Sequence, residues 1–270
     1  TGAAINATTP EWWPSQWVLT NYQKLFAGKR APLWQLAVPF GSKFSANGEP
    51  VYFSVGPMAP AAIRWMINTV FMAVMSMILT CITAAMAGYA LAKKRFVGRK
   101  LLFTLMVCAM ALPKQVIMIP LYLEEFNLKI LNTYLGLILP RTASAYGIYM
   151  LTSFFSGVPK SLDEAAKIDG MGEWKIYLKI ILPLAKPALV TLGIYHFMNN
   201  WNDLLYPMML TSSVEMRTLS AGLAILVGSN SIKYGPTLAA TVIAILPLLL
   251  LFLFGQKFFM EGIATSGMKE

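Results

Sequence analysis

Long apolar runs separated by short basic loops constrain the fold of this chain more than any other feature of its sequence. The run that follows Arg64 continues to Ala92 without another charged residue. A helix of about 20 apolar residues is long enough to cross the hydrocarbon core of a bilayer. Only 13% of the residues are charged, against about 25% in an ordinary soluble domain. The sequence therefore predicts an integral membrane protein.

Several apolar segments have the length of a membrane span, and each must be helical because backbone groups in lipid need internal hydrogen-bond partners. The five predicted spans cover about residues 64–92, 101–123, 133–155, 184–205 and 238–259. Pro113, Pro120 and Pro140 are predicted to kink or break the second and third spans. We therefore expect an all-α polytopic membrane protein. Its predicted parts are a segment before the core spans (1–62), a transmembrane domain (63–259) and a C-terminal tail (260–270).

The distribution of lysine and arginine among the short loops predicts the orientation of the spans. The loop 93–100, KKRFVGRK, is strongly basic and contains no acid, whereas the loop after the second span contains Glu124 and Glu125. Basic loops stay in the cytoplasm, so loop 93–100, the connecting segment 157–183 and the C-terminus are predicted to be cytoplasmic. Residues 1–62 then lie outside. A further span before Thr1 would be needed to carry them across, so the sequence predicts a six-span parent protein.

The connecting segment 157–183, which we call the elbow, has the sequence features of two short helices joined at a glycine. Ser161 and Glu164 have the spacing of a capping box, which predicts that the first helix starts at Ser161. Gly170 suits the left-handed residue that ends a helix, so the first helix is predicted to have about nine residues, and a second helix is predicted to begin near Gly172. From periodicity alone, the elbow is either an amphipathic connector at the membrane surface or a docking surface for a partner protein.

The elbow also carries a motif that resembles the EAA loop of ABC importer permeases. Glu164-Ala165-Ala166 is followed at the spacing of that family by Gly170, Ile180 and Leu182-Pro183. The other segments that resemble the carbohydrate branch of the family are Asn21-Tyr22 with Leu25-Phe26, Trp65-x-x-Asn68-Thr69, Gly88-Tyr89-Ala90-Leu91-Ala92, Ile119-Pro120-Leu121-Tyr122, Leu131 to Gly136, Trp201-Asn202-Asp203, Arg217-Thr218-Leu219 and the tail Gly262 to Lys269. The chain most resembles the second, six-span permease of maltose-type sugar importers, without the first span of that pattern.

This resemblance implies a type I ABC importer transmembrane domain in a bacterial or archaeal cytoplasmic (inner) membrane. The chain would form half of the translocation pathway with a second homologous permease, and would work with two ATPase subunits and an external solute-binding protein. ATP and Mg²⁺ would bind to the ATPase subunits, so this chain is expected to hold no cofactor and to be a transport subunit rather than an enzyme. The expected cargo is a sugar or oligosaccharide; a glycerol-phosphate-type substrate or an acidic saccharide is the alternative.

The resemblance also assigns roles to residues of the elbow. Glu164, Ala165, Ala166 and Asp169 would make the contacts that couple the chain to an ATPase subunit, and Gly170 would provide the turn. Alanines at the centre of such a surface permit close approach of another protein.

Polar and aromatic side chains within the spans are candidates for the substrate pathway, because such groups are costly to bury in lipid without a function. The candidates are Asn68, Tyr89, Tyr146, Tyr149, Asn199, Asn200, Trp201, Asn202 and Asp203. Trp201 could stack on a sugar ring. Hydrogen bonding between helices is the alternative role for the polar cluster around it.

Two rival classes are disfavoured by what the sequence contains. No phosphate-cradling glycine motif, HExxH motif or serine-nucleophile motif is present, and His196 is the only histidine, which disfavours a membrane enzyme and a metal site. A secondary transporter is the second rival, but it has no ATPase subunit for the elbow to contact.

Overall fold

The computed structural model describes residues 19–38, 51–228, 238–250 and 252–253. Residues 1–18 and 39–50 of the predicted N-terminal segment, residues 251 and 254–259 of the predicted fifth span and the 260–270 tail lie outside the described residues.

A short helix and a β-hairpin precede the first span. Helix α1 covers Thr20–Phe26, and strands β1 (Arg30–Val38) and β2 (Val51–Pro60) pair antiparallel. Arg30 lies opposite Pro60, and the register shifts between Pro32 and Trp34. Proline has no N–H to give to a ladder, so an irregularity beside it is expected. The prediction of an all-α chain did not include this sheet.

The other regular elements of the described chain are helical. They are α2 (Ala61–Lys93), α3 (Arg99–Ala109), α4 (Lys114–Asn127), α5 (Tyr134–Ile138), α6 (Ala145–Gly157), α7 (Lys160–Ile168), α8 (Glu173–Leu184), α9 (Lys186–Trp201), α10 (Leu205–Leu210), α11 (Leu219–Gly228) and α12 (Leu238–Leu250). A 3₁₀ turn, Leu139–Arg141, follows α5, and Tyr177–Ile181 within α8 has π-helical bonding.

Helix α2 is the only helix among the described residues that is long and apolar enough to cross a membrane by itself. The number rises to three if each bent pair counts as one span: α3 meets α4 at 103°, and α8 meets α9 at 73°. The break before α4 ends at Pro113, as predicted, but α4 continues through Pro120. Pro140 lies in the 3₁₀ turn that interrupts the predicted third span. The count of five spans stays a prediction.

The described residues divide into two compact units. The first unit is formed from Thr1–Met72, Pro120–Leu137 and Asn200–Leu251, and the second from Ala73–Ile119, Ile138–Asn199 and Phe252–Glu270, in each case the described part.

Close contact between α2 and α6 organises the second unit. A Cβ added at Gly88 of α2 would lie 3.0 Å from the Leu151 Cβ and 3.1 Å from the Thr152 nitrogen. A Cβ at Gly147 of α6 would lie 3.2 Å from the Ala84 Cβ. Small residues at these positions allow two helix backbones to pack closely, which is how helices associate in membranes. The elbow lies in this unit.

Candidate functional site

The two helices of the elbow are α7 and α8. Helix α7 has the nine residues predicted for it, and Gly172 is the N-cap of α8, as predicted. The predicted capping box is wrong: α7 begins at Lys160 after Pro159, and no side chain caps it. Pro159 has φ −55° and the chain enters the helix at the next residue, so Ser161 lies inside the first turn, where its hydroxyl cannot act as an N-cap.

The end of α7 is a complete Schellman motif. Gly170 has φ +76°, its N–H donates to the Lys167 carbonyl at 3.0 Å, and the Met171 N–H donates to the Ala166 carbonyl at 2.9 Å. A Cβ at Gly170 would have no atom within 4 Å. The glycine is therefore required by its left-handed backbone and not by lack of space, which confirms its predicted place at the turn.

The two alanines of the EAA motif have opposite surroundings. Ala166 is 3% exposed and belongs to an apolar cluster with Tyr89, Phe155 and Ile176. Ala165 is exposed, as are Glu164 and Asp169. The prediction that both alanines face a partner is therefore corrected: in this structure Ala166 packs within its own chain, and only Ala165 is available at the surface.

Ion pairs join the elbow to the end of α2 and join its two helices to each other. Lys93 Nζ lies 2.9 Å from Asp163 Oδ2, and Glu173 pairs with both Lys94 and Lys167. Hydrogen bonds from Lys94 and then from Lys167 lower the pKa of the Glu173 carboxyl to about 2. Glu173 is therefore ionised across the physiological range and keeps both ion pairs.

Tyr89 packs against the elbow. It is buried, its ring centroid lies 5.0 Å from that of Tyr177 and 6.2 Å from that of Phe155, and its hydroxyl lies 3.4 Å from Glu173 Oε2. Both the ring and the hydroxyl of Tyr89 therefore support the elbow in this structure, and its pathway role stays a prediction.

In the first unit, Asn68 has a structural role, and its predicted pathway role stays a prediction. Its side chain is fully buried, and Nδ2 donates to the carbonyls of Glu215 at 2.7 Å and Arg217 at 2.8 Å. Its Oδ1 accepts from the Tyr134 hydroxyl at 2.6 Å. These bonds occupy the amide, so Asn68 is not available to a substrate in this structure.

Three further residues, which the sequence analysis did not propose as site residues, also bind the backbone of residues 212–217. Arg64 Nε donates to the Glu215 carbonyl at 3.0 Å, and Trp65 Nε1 donates to the Val214 carbonyl at 2.7 Å. Asn132 Oδ1 accepts from the backbone N–H groups of Ser212 at 3.1 Å and Ser213 at 3.2 Å. We call Arg64, Trp65, Asn68 and Asn132, with the backbone of residues 212–217, the loop clamp.

The sequence contained two hints of the loop clamp. Arg64 is the single charge at the start of a long apolar run, and Asn132 lies in the resembled segment Leu131 to Gly136. Neither hint named the backbone of 212–217 as the partner.

The predicted polar cluster around Trp201 has mixed surroundings. Trp201 is 3% exposed and its Nε1 donates to the Ala244 carbonyl at 3.1 Å, so in this structure the ring is not available to stack on a sugar. Asn200 is also buried, Asn202 is exposed, and Asp203 Oδ1 lies 3.5 Å from the Tyr206 nitrogen. Pathway roles for Asn202 and Asp203 stay predictions.

Three candidates in the second unit keep exposed side chains. Tyr146 packs its ring against Tyr195 with centroids 4.7 Å apart, and Tyr149 stacks on Phe103 at 6.1 Å. Asn199 is exposed and its Nδ2 donates to the Tyr195 carbonyl at 2.9 Å. The structure brings Tyr146 and Asn199 to the same residue, Tyr195. Their pathway role stays a prediction.

The described residues contain no group of three or more His, Cys, Asp or Glu side chains that could hold a metal ion. That this chain holds no cofactor stays a prediction.

Helix α2, the bent helix pairs and the exposed two-helix elbow define a helical transmembrane subunit. Residues 84–263 match the family model described as the binding-protein-dependent transport system inner membrane component, and the chain belongs to this family.

Three curated proteins align with most of this chain. The chain is 35% identical over 205 residues to the arabinooligosaccharides transport system permease protein AraQ of Halalkalibacterium halodurans, covering 76% of this chain and 74% of that protein. It is 33% identical over 226 residues to AraQ of Bacillus subtilis, covering 84% and 77%. It is 33% identical over 198 residues to the diacetylchitobiose uptake system permease protein NgcG of Streptomyces coelicolor, covering 72% and 66%.

Two solved structures have folds similar to that of this chain. A chain of a bacterial ABC transporter involved in the import of the acidic polysaccharide alginate superposes with a TM-score of 0.68 at 26% identity, covering 74% of this chain and 75% of that chain. The MetNI methionine ABC transporter, with a TM-score of 0.56 at 15% identity, covers 75% of this chain and 96% of that chain and supports the fold alone. The protein is thus a permease subunit of an ABC transporter in the cytoplasmic membrane, and not itself the ATPase.

Proposed function

We propose that this permease forms half of the translocation pathway for a sugar or oligosaccharide and that the exposed face of α7 docks on an ATPase subunit. The complex would contain a second homologous permease, two ATPase subunits that bind ATP and Mg²⁺, and an external solute-binding protein. The elbow and the C-terminus would lie on the cytoplasmic side, as the basic loop 93–100 predicts.

The exposed face of α7 is the observation that carries this proposal. Glu164 and Ile168 are one helical turn apart, and Ile168 is 86% exposed. Ala165 lies beside them and presents only a methyl group, so another protein can approach the helix backbone there. A nearly fully exposed isoleucine flanked by the acids Glu164 and Asp169 suits a partner groove that is apolar at its centre and basic at its rim.

The rigidity of the elbow supports the same role. Ala166 anchors one side of α7 in the apolar cluster, and the Schellman motif at Gly170 holds the angle to α8. A helix fixed in this way moves as one body when its partner moves, as a coupling element requires.

The docking proposal is tested by Ala165→Trp in the complete importer, with Ala27→Trp as the matched control. Ala27 is an exposed alanine at the C-cap of α1, so it controls for a large aromatic residue on the surface. We expect Ala165→Trp to reduce the amount of ATPase subunit that copurifies with the permease, with Ala27→Trp unchanged. Equal copurification in both variants would contradict docking through α7.

The energy source separates this proposal from a secondary transporter. Proteoliposomes that contain the importer, its binding protein and internal ATP should accumulate substrate when ionophores remove the ion gradients. Uptake that needs a gradient and not ATP would support the secondary transporter instead.

The cargo is proposed from what the relatives are named for, which are arabinooligosaccharides and diacetylchitobiose. An acidic saccharide is the second candidate, because the alginate importer has a similar chain. Calorimetric titration of the cognate binding protein with neutral oligosaccharides and with uronate oligosaccharides distinguishes the two. Glycerol phosphate, included in the same titration, tests the remaining alternative.

A further inference from the structure

Two adjacent lysines at the end of α2 hold the elbow at two separate points. Lys93 Nζ pairs with Asp163 Oδ2 of α7 at 2.9 Å and also donates to the Val158 carbonyl at 2.8 Å. Lys94 pairs with Glu173 at the start of α8. We call Lys93, Lys94, Asp163 and Glu173 the lysine tie.

The Lys93–Asp163 pair is buried to a degree unusual for these residue types. The Lys93 side chain is 6% exposed and that of Asp163 is 17% exposed. Desolvation cancels much of the attraction in such a pair, so it adds little net stability over an apolar contact of the same size. It does restrict geometry, because each of these buried charges loses its ion-pair partner if the other moves away. The burial therefore indicates a pair that maintains position.

The two lysines contact the elbow in different directions. The Lys94 N–H donates to the Ala90 carbonyl at 3.1 Å, so the helical turn continues to Lys94. Successive residues on a helix point about 100° apart. Glu173 also pairs with Lys167 Nζ at 3.0 Å, which joins the end of α7 to the start of α8. The elbow therefore cannot pivot about a single contact with α2.

Apolar packing alone would not provide this constraint. The Tyr89 and Tyr177 rings and the methyl group of Ala166 offer contact surfaces without direction, and such surfaces can slide with little change in buried area. Ion pairs of defined geometry resist that sliding.

We propose that the lysine tie passes displacement of the elbow to α2, so that its members are positioning residues for the transport cycle. This inference rests on the proposed function, in which an ATPase subunit moves the elbow. The docking face lies on Glu164, Ala165 and Ile168, so the tie is separate from the docking contacts.

The test measures transport per ATP hydrolysed by the complete importer in proteoliposomes with its loaded binding protein. Lys93→Met and Asp163→Asn should keep the ATPase subunits bound and ATP hydrolysed, while transport per ATP falls by about ten-fold, a common size for coupling between two sites. The exchanged pair Lys93→Asp with Asp163→Lys should recover most of the ratio. Lys100→Met, an exposed lysine on α3, is the matched control and should keep the wild-type ratio.

Variants of the second ion pair, Lys94–Glu173, keep the inference testable if the buried Lys93 and Asp163 variants misfold. Lys94→Met and Glu173→Gln change exposed partners, and each should lower transport per ATP by a smaller factor than Lys93→Met. An unchanged ratio in all four single variants of the tie would overturn the inference. So would a loss of ATPase binding in Lys93→Met with a wild-type ratio in the complexes that remain, since that result means only structural support.

The two proposals fail in different ways. Docking fails if Ala165→Trp keeps the ATPase subunits bound. The tie alone fails if Ala165→Trp releases them while all four single variants of the tie keep the wild-type ratio.

Discussion

The loop clamp and the elbow are both parts of a membrane protein that contain many polar groups, yet they are built in opposite ways. In the loop clamp, buried side chains of Arg64, Trp65 and Asn68 donate to backbone carbonyls of residues 212–217. In the elbow, two short helices make backbone hydrogen bonds of their own, and side chains provide apolar packing and ion pairs.

The difference follows from the backbone of each region. Residues 212–217 are irregular, so their N–H and C=O groups need partners from elsewhere, and a buried backbone group without one is costly. A helix meets this need internally, so the side chains on its outer face remain available to a partner protein. We infer that the loop clamp serves internal support, whereas the elbow combines internal support on one face with contact on the other.

Of the four stability predictions below, the largest loss in the free energy of unfolding is expected for Arg64→Met. The Arg64 side chain is fully buried and donates to the carbonyls of Leu33 at 2.6 Å, Gln35 at 3.4 Å and Glu215 at 3.0 Å. Methionine leaves all three acceptors without their donor, which should lower the free energy of unfolding by about 4 kcal/mol. Denaturant unfolding in detergent micelles measures this loss. The control is Arg95→Met, at an exposed position, and an equal midpoint in both variants would contradict the loop clamp.

Asn132 separates the side-chain contribution to the loop clamp from the backbone contribution. Its φ is +58°, which glycine tolerates and alanine does not. Asn132→Gly should cost about 2 kcal/mol from the bonds lost to Ser212 and Ser213, and Asn132→Ala about 1 kcal/mol more.

Lys129 is the matched control for that pair, because it is exposed and has φ +54°. Lys129→Gly should be neutral or stabilising in the same unfolding measurement. If Asn132→Gly behaved like Lys129→Gly, the Asn132 side chain would contribute nothing to the loop clamp.

The adjacent alanines of the elbow test the contrast between its two faces. Ala166→Leu adds volume to a filled core and should cost about 2 kcal/mol. Ala165 lies on the surface, so Ala165→Leu should change the free energy of unfolding by less than about 0.5 kcal/mol. Thermal unfolding of the two variants in the same detergent measures the difference. Equal losses would mean that both alanines are packed within the chain.

The smallest effect is expected from Glu173, and it depends on pH. Its folded-state pKa of about 2 lies below the ordinary value of 4.5. Its contribution to stability is therefore complete above pH 4.5 and is lost as the pH falls toward 2. Because the side chain is about half exposed, the contribution should stay below about 1 kcal/mol.

The measurement for Glu173 is the difference in unfolding midpoint between the wild type and Glu173→Gln. The difference should favour the wild type at pH 7 and shrink between pH 4.5 and 2. A difference that stays constant over this range would show that the carboxylate charge is not what holds Lys94 and Lys167.

The elbow shows how far local sequence could predict this structure. Gly170, Gly172 and the nine-residue length of α7 follow from rules that act over a few residues, so they were predictable. The capping box at Ser161 failed because the N-cap of α7 is Pro159, two residues before Ser161. The break at Pro113 was predicted correctly, whereas α4 continues through Pro120. Neighbouring groups decide whether a proline interrupts a helix, and the local sequence does not specify them.

By itself, the sequence determined the membrane class, the family and the glycine turn of the elbow, since apolar length, charge placement and glycine geometry are local properties. Only the tertiary structure decided which of Ala165 and Ala166 faces outward, and that Asn68, Tyr89 and Trp201 are engaged within the protein. Helical periodicity shows which residues share a face, but not what that face meets. Burial and hydrogen bonding depend on residues far apart in the chain, as Asn68 and Arg217 show, and these partners are brought together only by the fold.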